Sequence, residues 1–220
     1  QLIASVLSKK IAAGATHLVL DLPVGPTAKV RSQAAAIALA HHLTIVADGF
    51  GLKTKCVFSD GLQPVGRGIG PALEAMDVLA VLQNKPNAPE DLTQRAVALA
   101  GAALELAEKA EAGDGTQMAI LELSSGRAWS KFQAICEAQG GMRIPPRAQK
   151  QAAISALEPG TLEAVDNRKL SRLAKLAGAP ERASAGLVLH KRIGDRVDRG
   201  EPLATVHAEA GGELDYALNY

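Results

Sequence analysis

The sequence is poor in aromatic residues and carries almost no net charge. Aromatic side chains make up 3% of its 220 residues, so the hydrophobic core must be built from Leu, Val, Ile and the 41 alanines. Lys and Arg (24) nearly balance Asp and Glu (23), which gives a net charge of +1. This balance supplies no broad positive surface, and it excludes a nucleic-acid polymer as the expected partner.

Long apolar runs, a leader pattern and a cysteine framework are also missing. No run approaches the roughly 20 apolar residues that span a bilayer, and the first residues lack the basic and apolar regions of a signal peptide. The two cysteines, Cys56 and Cys136, lack zinc-ligand spacing. We expect reduced thiols in a cytoplasmic protein. Because Gln1 stands inside a helical pattern without a preceding Met, we also expect a fragment.

Strand and helix patterns alternate over the first 140 residues. An apolar run at 17–21 predicts a buried strand, and Ser32 predicts the start of a helix that ends near residue 42. The next strand is predicted at 43–47 or at 54–58, and the pattern leaves both alternatives open. We therefore expect an α/β fold, with a mixed, partly parallel sheet flanked by helices.

Beyond about residue 150, short β-like segments separated by turns replace this alternation, which predicts a smaller α+β C-terminal lobe. Within it, residues 194–203 follow the spacing G-D-x-V-x-x-G-x-x-L. That spacing is similar to the hairpin of barrel-sandwich folds, the architecture of biotinyl and lipoyl carrier domains. Lys191 lacks the sequence context of a modified carrier lysine, so a purely structural lobe is favoured.

Four polar residues favour a ligand site. Ser5 and Lys9 are four residues apart on a predicted helix and can hold a carbonyl-rich or anionic ligand, although such a pair is also typical of a solvated face. Asp21 ends a predicted strand, where ligands bind in open α/β sheets and where Asp also caps its own loop. Asp60 ends another strand signal, and a carboxyl group there could act as a general acid.

A glycine-rich loop follows Asp60. Gly66, Gly68 and Gly70 alternate with other residues, but this spacing differs from the G-x-G-x-x-G fingerprint. Three interpretations stay open at this point. The loop could cradle a phosphate, bind a hard cation through its carbonyl oxygens, or serve only as a tight turn.

Taken in order, the motifs resemble the pyrimidine-nucleoside phosphorylases over essentially the whole chain. They are I-A-S-V-L-S-K-K-I-A-A-G at 3–14, L-V-L-D at 18–21 with Gly25, D-x-x-Q-P at 60–64, G-x-A-L-E at 70–74, and Phe132 with A-Q-G-G at 138–141. Segments 22–30 and 66–71 look like type 2 thymidine phosphorylases and the related AMP phosphorylases. Pro23 stands where the common bacterial thymidine phosphorylase has Lys.

The resemblance implies phosphorolysis of a pyrimidine nucleoside such as thymidine to the free base and a (deoxy)ribose 1-phosphate. Ser5 and Lys9 match the family's base-contacting Ser-x-x-x-Lys, with Lys9 stabilising charge on a base carbonyl. We also expect Lys10 and Asp21 to bind substrate. Asp60 matches the proton donor of the AMP phosphorylase branch. A nucleoside 5′-monophosphate phosphorylase is the nearest alternative activity, and a non-catalytic carrier module is a more distant one.

The resemblance also implies what surrounds this site. Val65, Gly68 and Asp77 align with a monovalent-cation site, although Asp77 stands where the family has Glu. No cofactor is expected, and phosphate is the co-substrate. The family's phosphate-binding run, Lys-His-Ser/Thr-x-Gly-Gly, does not occur in this sequence.

From the resemblance we expect the C-terminal portion of a longer, homodimeric cytoplasmic enzyme without a membrane partner. The expected domain limits are 1–15 for the last helix of a helical domain, 16–145 for the α/β phosphorylase domain, and 146–220 for the C-terminal lobe.

Overall fold

The computed structural model describes residues 2–220. The helices and strands of this part of the chain follow in the order α1 (Leu2–Ala12), β1 (His17–Val24), α2 (Gln33–Asp48), β2 (Lys53–Asp60), β3 (Gly68–Ile69), α3 (Pro71–Leu82), α4 (Glu90–Leu106), α5 (Gly115–Ser124), α6 (Arg127–Ala138), β4 (Lys150–Ser155), β5 (Gly160–Thr161), α7 (Asn167–Leu176), β6 (Gly186–Leu189), β7 (Arg196–Val197), β8 (Pro202–Ala208) and α8 (Gly211–Leu218). The predicted α/β class is confirmed.

The chain divides into two units. Unit 1 contains residues 2–62 and 94–125, and unit 2 contains residues 63–93 and 126–220. The predicted domain limits, 1–15, 16–145 and 146–220, stay a prediction.

Unit 1 is built on the parallel pair β1–β2, whose register runs from His17 opposite Lys53 to Val24 opposite Asp60. Parallel sheets usually have both faces covered, which agrees with the apolar run at 18–20 of β1, whereas β2 begins with the polar segment 53–55. Helices α1 and α2 supply apolar side chains to the core. Its buried members are Leu7, Leu22, Leu43, Ala47 and Leu52.

Helix α2 settles the choice between the two predicted strand positions. The Ser32 side chain accepts a hydrogen bond from the Ala35 backbone N–H at 3.2 Å and so caps the helix where the sequence predicted it. The helix continues beyond residue 42 to Asp48. Leu43 and Ala47 are four residues apart and both buried, which is the helical period, so 43–47 is helix and 54–58 lies within β2.

Unit 2 contains a four-stranded antiparallel sheet in the order β3-β6-β8-β4 and a small antiparallel pair, β5–β7. Parallel and antiparallel pairings are thus both present, in separate sheets. Short β segments are present beyond residue 150, as the sequence predicts, and two of them, β5 and β7, have only two residues each. Alanines dominate the buried core, which consists of Ala174, Ala177, Ala179, Ala185, Leu187, Val206 and Ala217.

Close backbone contact between β3 and β6 depends on glycine. Gly70 and Gly186 both have positive φ, at 132° and 143°. A Cβ on Gly186 would lie 1.9 Å from the Ile69 carbonyl oxygen, and one on Gly70 would lie 2.3 Å from the Ala185 oxygen. Any side chain here would force the two strands apart.

Two further expectations can be compared with the described residues. Cys56 and Cys136 are both free thiols, and burial raises the pKa of Cys56 above its ordinary value. Among residues 2–220, no helix is long and apolar enough to cross a membrane.

Candidate active site

Asp21 and Asp60 lie towards the carboxyl ends of β1 and β2, although the prediction that Asp21 ends its strand is wrong, because β1 continues its pairing with β2 to Val24. In the register of the pair, Asp21 is opposite Val57 and Val24 is opposite Asp60. Ligands of α/β proteins gather beyond the carboxyl ends of parallel strands. The register therefore brings Asp21 and Asp60 into one region, which the sequence alone did not predict, and their roles stay predictions.

Asp21 is the centre of a side-chain cluster that ties both strand ends to α4. Its Oδ1 accepts a hydrogen bond from the Ser59 hydroxyl, and its Oδ2 forms an ion pair with Arg95 Nη1 at 2.7 Å. The two charged side chains are only 23% and 18% exposed. Because the pair is largely removed from water, loss of either partner would leave a poorly solvated charge.

Arg95 extends this cluster to Asp60. Its second terminal nitrogen, Nη2, donates to the main-chain oxygen of Asp60 at 2.9 Å. One guanidinium group therefore contacts the Asp21 side chain and the Asp60 backbone at once. We refer to Asp21, Ser59, Arg95 and the Asp60 carbonyl as the strand-end cluster.

The Asp60 carboxyl group is exposed, and the backbone around it is tightly held. Its Oδ1 accepts a hydrogen bond from the Leu62 N–H at 2.8 Å. The next N–H, of Gly61, donates to the Val24 carbonyl at 2.9 Å. A Cβ on Gly25 would lie 2.4 Å from the Gly61 oxygen, so the loops after the two strands meet backbone to backbone.

An apolar cavity of about 300 Å³ lies beside the strand-end cluster within unit 1. Asp21 and Pro23 line it from β1, and Leu2 and Val6 line it from α1. The exposed Lys29 adds a cationic group from the loop after β1. The cavity therefore combines an apolar wall with one carboxylate and one ammonium group.

The predicted base contacts on α1 lie close in sequence to this cavity but do not line it. Ser5, Lys9 and Lys10 are exposed, and Leu2 and Val6 are the α1 residues of the lining. Among residues 2–220, no hydrogen bond or ion pair joins Ser5 or Lys9 to Asp21 or Asp60. Their roles in substrate binding stay predictions.

In unit 2, the backbone of the glycine-rich loop is bound by the protein's own carboxylates. Asp77 Oδ2 accepts hydrogen bonds from the N–H groups of Arg67 at 2.6 Å and Gly68 at 2.7 Å. Asp91 accepts from Gly66 N at 3.0 Å, and Glu74 accepts from Gly70 N at 3.0 Å. The amide groups that would cradle a phosphate already face negative charge, which favours the structural interpretation of this loop over the phosphate cradle.

Arg192 holds the same loop from the C-terminal lobe of unit 2. Its Nη1 donates to the Gly66 carbonyl at 2.9 Å, and its Nη2 pairs with Asp91. The neighbouring Ile193 N–H donates to the Gln63 side chain at 2.9 Å. Several N–H groups of the loop and the Gly66 carbonyl are therefore hydrogen-bonded within the fold.

The three residues of the predicted cation site share one cavity. Val65, Gly68 and Asp77 line a space of about 390 Å³ in unit 2, together with the carboxylate of Glu74. Within the described residues there is no group of three or more His, Cys, Asp or Glu side chains that could hold a metal ion. A monovalent cation bound by carbonyl oxygens needs no such group, and its presence stays a prediction.

The cluster contains a residue that the sequence interpretation missed. Arg95 lies on α4, where it reads as one of several charges on an amphipathic helix. Arg192 was overlooked in the same way within a run of basic residues. The signal in the sequence is an arginine that could pair with an acidic strand end or loop. It can be recognised only when the topology is known, because the topology decides which acidic groups lie near it.

The sequence of the chain is similar to those of known proteins. Residues 161–220 match the family model described as the pyrimidine nucleoside phosphorylase C-terminal domain. Over all 220 residues the chain is 62% identical to a protein of Chelativorans sp. named "Putative thymidine phosphorylase" and covers 43% of its length. Relatives with the same name from Tolumonas auensis and Parvibaculum lavamentivorans are each 61% identical, and the chain covers 44% of each.

The chain thus spans less than half the length of the curated relatives that it matches. The matches cover its motifs from α1 to the C-terminal lobe, as the sequence resemblance implied. Residues 161–220 thus match the pyrimidine nucleoside phosphorylase C-terminal domain, and the whole chain is similar to part of proteins named putative thymidine phosphorylases.

Proposed function

We propose that the full-length protein containing this chain catalyses phosphorolysis of a pyrimidine nucleoside such as thymidine. A phosphate oxygen attacks the anomeric carbon while the glycosidic C–N bond breaks, and the bonding electrons leave with the base. The base gains one proton and phosphate loses one, so the products are the free base and a sugar 1-phosphate. The observation that carries the proposal is the exposed Asp60 carboxyl group, held at the carboxyl ends of two parallel strands in a chain with these relatives.

Each proposed residue has a distinct task in this reaction. Asp60 donates the proton to the leaving base, as a general acid. Ser5 and Lys9 contact the base, and the ammonium group of Lys9 stabilises the negative charge that develops there. Lys10 and Asp21 contribute to substrate binding. The scarcity of aromatic residues agrees with recognition of the base by polar groups rather than by stacking.

The remaining requirements of the reaction fall outside these residues. No Lys-His-Ser/Thr-x-Gly-Gly run occurs in the sequence, so we propose that the isolated chain is inactive. No cofactor is needed, because phosphate itself is the nucleophile. A monovalent cation at Val65, Gly68 and Asp77 would support the loop, and the full-length enzyme would act as a cytoplasmic homodimer.

Lys29 favours a second candidate, a nucleoside 5′-monophosphate phosphorylase. Its side chain is exposed and lines the apolar cavity beside Asp21. An ammonium group there could contact the phosphate of a nucleotide, which an uncharged nucleoside lacks. Replacing Lys29 by Met should then lower activity with AMP or CMP and leave activity with thymidine or uridine unchanged.

The surroundings of Lys191 in the C-terminal lobe do not favour the carrier-module alternative. A modified carrier lysine must be accessible, but Lys191 is 19% exposed and pairs with Glu201 at 2.5 Å. Intact mass after co-expression with a biotin or lipoyl ligase tests it. An unmodified chain would remove this alternative.

The main proposal is tested with the full-length enzyme and a panel of thymidine, uridine, AMP and CMP. Chromatography measures the released base, and phosphorus NMR measures the sugar 1-phosphate, with a phosphate-free reaction as the control. We expect phosphate-dependent release from thymidine. Absence of release from every substrate would sink the enzyme assignment, and preference for AMP or CMP would favour the second candidate.

A further inference from the structure

We infer that Arg95 is a positioning residue of the active site, which fixes the Asp60–Gly61 peptide and thereby the orientation of the Asp60 carboxyl group. The inference rests on the proposed function, because it requires Asp60 to deliver a proton to the leaving base. It assigns a role to a residue of α4 that lies outside every motif discussed above.

The first step in the argument is that one peptide plane is held from two sides. The Asp60 carbonyl oxygen accepts from Arg95 Nη2 at 2.9 Å. The N–H of the same peptide, which belongs to Gly61, donates to the Val24 oxygen at 2.9 Å. Because the peptide group is planar, these two bonds together fix its rotation.

The second step concerns the Asp60 side chain, whose orientation depends on that backbone. Its Oδ1 accepts from the Leu62 N–H at 2.8 Å, a bond that spans the Asp60–Gly61 peptide and therefore depends on the orientation of that peptide. Among residues 2–220, no hydrogen bond to the other carboxyl oxygen is found. Arg95 thus acts on a carboxyl group that it does not touch.

The third step is that Arg95 is itself oriented. Its Nη1 lies 2.7 Å from Asp21 Oδ2, and Ser59 donates to the other oxygen of Asp21. A planar guanidinium can hold two acceptors in one fixed geometry, which an ammonium group cannot. The cluster therefore connects both strand ends and α4 through a single rigid fork.

These contacts predict a defect in the chemical step rather than in binding. Proton transfer requires the donor within hydrogen-bond distance of its acceptor, and small misplacements lower the rate strongly. Replacing Arg95 by Gln in the full-length enzyme should lower kcat about 30-fold and change KM for the nucleoside less than about 3-fold. Arg95→Lys should lose less, because it keeps the charge beside Asp21 and lacks only the second contact.

The decisive measurement repeats Arg95→Gln in an Asp60→Asn background. If Arg95 acts only by orienting the Asp60 acid, its loss should cost less than about 2-fold once that acid is gone. A merely structural arginine would cost the same factor in both backgrounds. Lys53→Gln is the matched control, because it breaks a different ion pair of unit 1, the exposed pair between Lys53 of β2 and Glu108, and should leave kcat unchanged.

Each outcome decides the question. Equal losses in the two backgrounds, an unchanged kcat in Arg95→Gln, or full activity of Asp60→Asn would each overturn the positioning role. If wild type is active and Asp60→Asn is impaired, such a failure concerns Arg95 alone. If wild type releases no base from any substrate, the proposed function fails and this inference with it. Should Arg95→Gln not fold, as judged by thermal unfolding, Arg95→Lys in both backgrounds gives the same comparison.

Discussion

The strand-end cluster of unit 1 and the glycine-rich loop of unit 2 use carboxylates in opposite ways. In the cluster, Asp21 binds side chains, namely Ser59 and Arg95, and the carboxyl group of Asp60 stays exposed. In the loop, the carboxylate of Asp77 is aimed at main-chain N–H groups. The first arrangement presents a functional group, whereas the second uses its charge to shape the backbone.

This difference changes the meaning of the glycine spacing. A row of backbone N–H groups attracts anions in general, and a phosphate is only one of them. Here Asp77 and Asp91 supply the anion from within the fold, so the loop is stabilised without a ligand. The predictions below test this contrast between a presented carboxyl group and carboxylates that hold the backbone.

The largest effect is expected at the presented carboxyl group. Asp60→Asn keeps an oxygen for the Leu62 N–H but removes the acid, so kcat of the full-length enzyme should fall about 100-fold to 1,000-fold. Thermal stability should change little, because the side chain is exposed. Asp48→Asn, an equivalent change at an exposed aspartate of unit 1, is the control for steady-state assays. A kcat within about 3-fold of wild type would contradict the acid role.

A stability effect is expected instead at the loop carboxylate. Asp77→Ala leaves the N–H groups of Arg67 and Gly68 without their acceptor, and the Asp77 side chain is only 13% exposed. We expect a loss of about 2–3 kcal/mol in the free energy of unfolding, measured by urea denaturation.

The matched variant at this position is Asp77→Asn, which retains an acceptor oxygen and should lose about half as much. The interpretation would be contradicted if Asp77→Ala left the denaturation midpoint unchanged. It would also be contradicted if the two variants were equally destabilised.

Glycine supports the strand-end cluster through close approach rather than through φ. Gly25→Ala would place a Cβ 2.4 Å from the Gly61 oxygen, so the two loops must separate. We expect a destabilisation of about 2 kcal/mol, the usual cost of overpacking, and a lowered kcat because Asp60 moves with its loop. Gly160→Ala, where a Cβ meets nothing within 4 Å, is the control. Equal denaturation midpoints for the two variants would show that the loops do not need this contact.

The sequence predicted the elements better than the contacts that join them. The motif Leu18–Asp21 was assigned correctly to a strand from its apolar run, but the end of the strand was placed too early, since β1 continues to Val24. The run 43–47 was ambiguous, since short apolar segments fit either period, and only packing of Leu43 against the core decides for helix. The predicted cation residues do line one cavity, because their spacing is local.

Arg95 and Arg192 could not be predicted, for a physical reason. Each binds acceptors that are far away in sequence, up to 74 residues for Arg95 and 126 for Arg192. The residues that neighbour a charged side chain on an amphipathic helix or in a basic turn do not indicate such a distant partner. Only the folded topology brings the acidic strand end to α4.

The smallest effect is expected at Glu105 of unit 1. Its carboxylate accepts hydrogen bonds from main-chain N–H groups, as Asp77 does in the loop, but over longer distances. Glu105 Oε1 accepts from the N–H groups of Gly113 and Gly115 at 3.1 and 3.2 Å, and Oε2 pairs with Lys55 at 2.9 Å. The Lys55 hydrogen bond, followed by the two backbone bonds, lowers the Glu105 pKa below its ordinary 4.5. A lowered folded-state pKa stabilises the fold above pH 4.5, and this contribution is lost as the pH falls below that value.

Glu105→Gln should therefore lower Tm by a few degrees at about pH 7, and the difference from wild type should narrow at acid pH, below 4.5. Glu108→Gln removes only the exposed pair with Lys53, in which the side chains are 58% and 81% exposed, and should change Tm at neither pH. Thermal unfolding of both variants across this range separates a carboxylate that holds backbone from one that merely faces a lysine. A Tm difference for Glu105→Gln that persists at acid pH would mean that packing, and not charge on the amides, is what this side chain contributes.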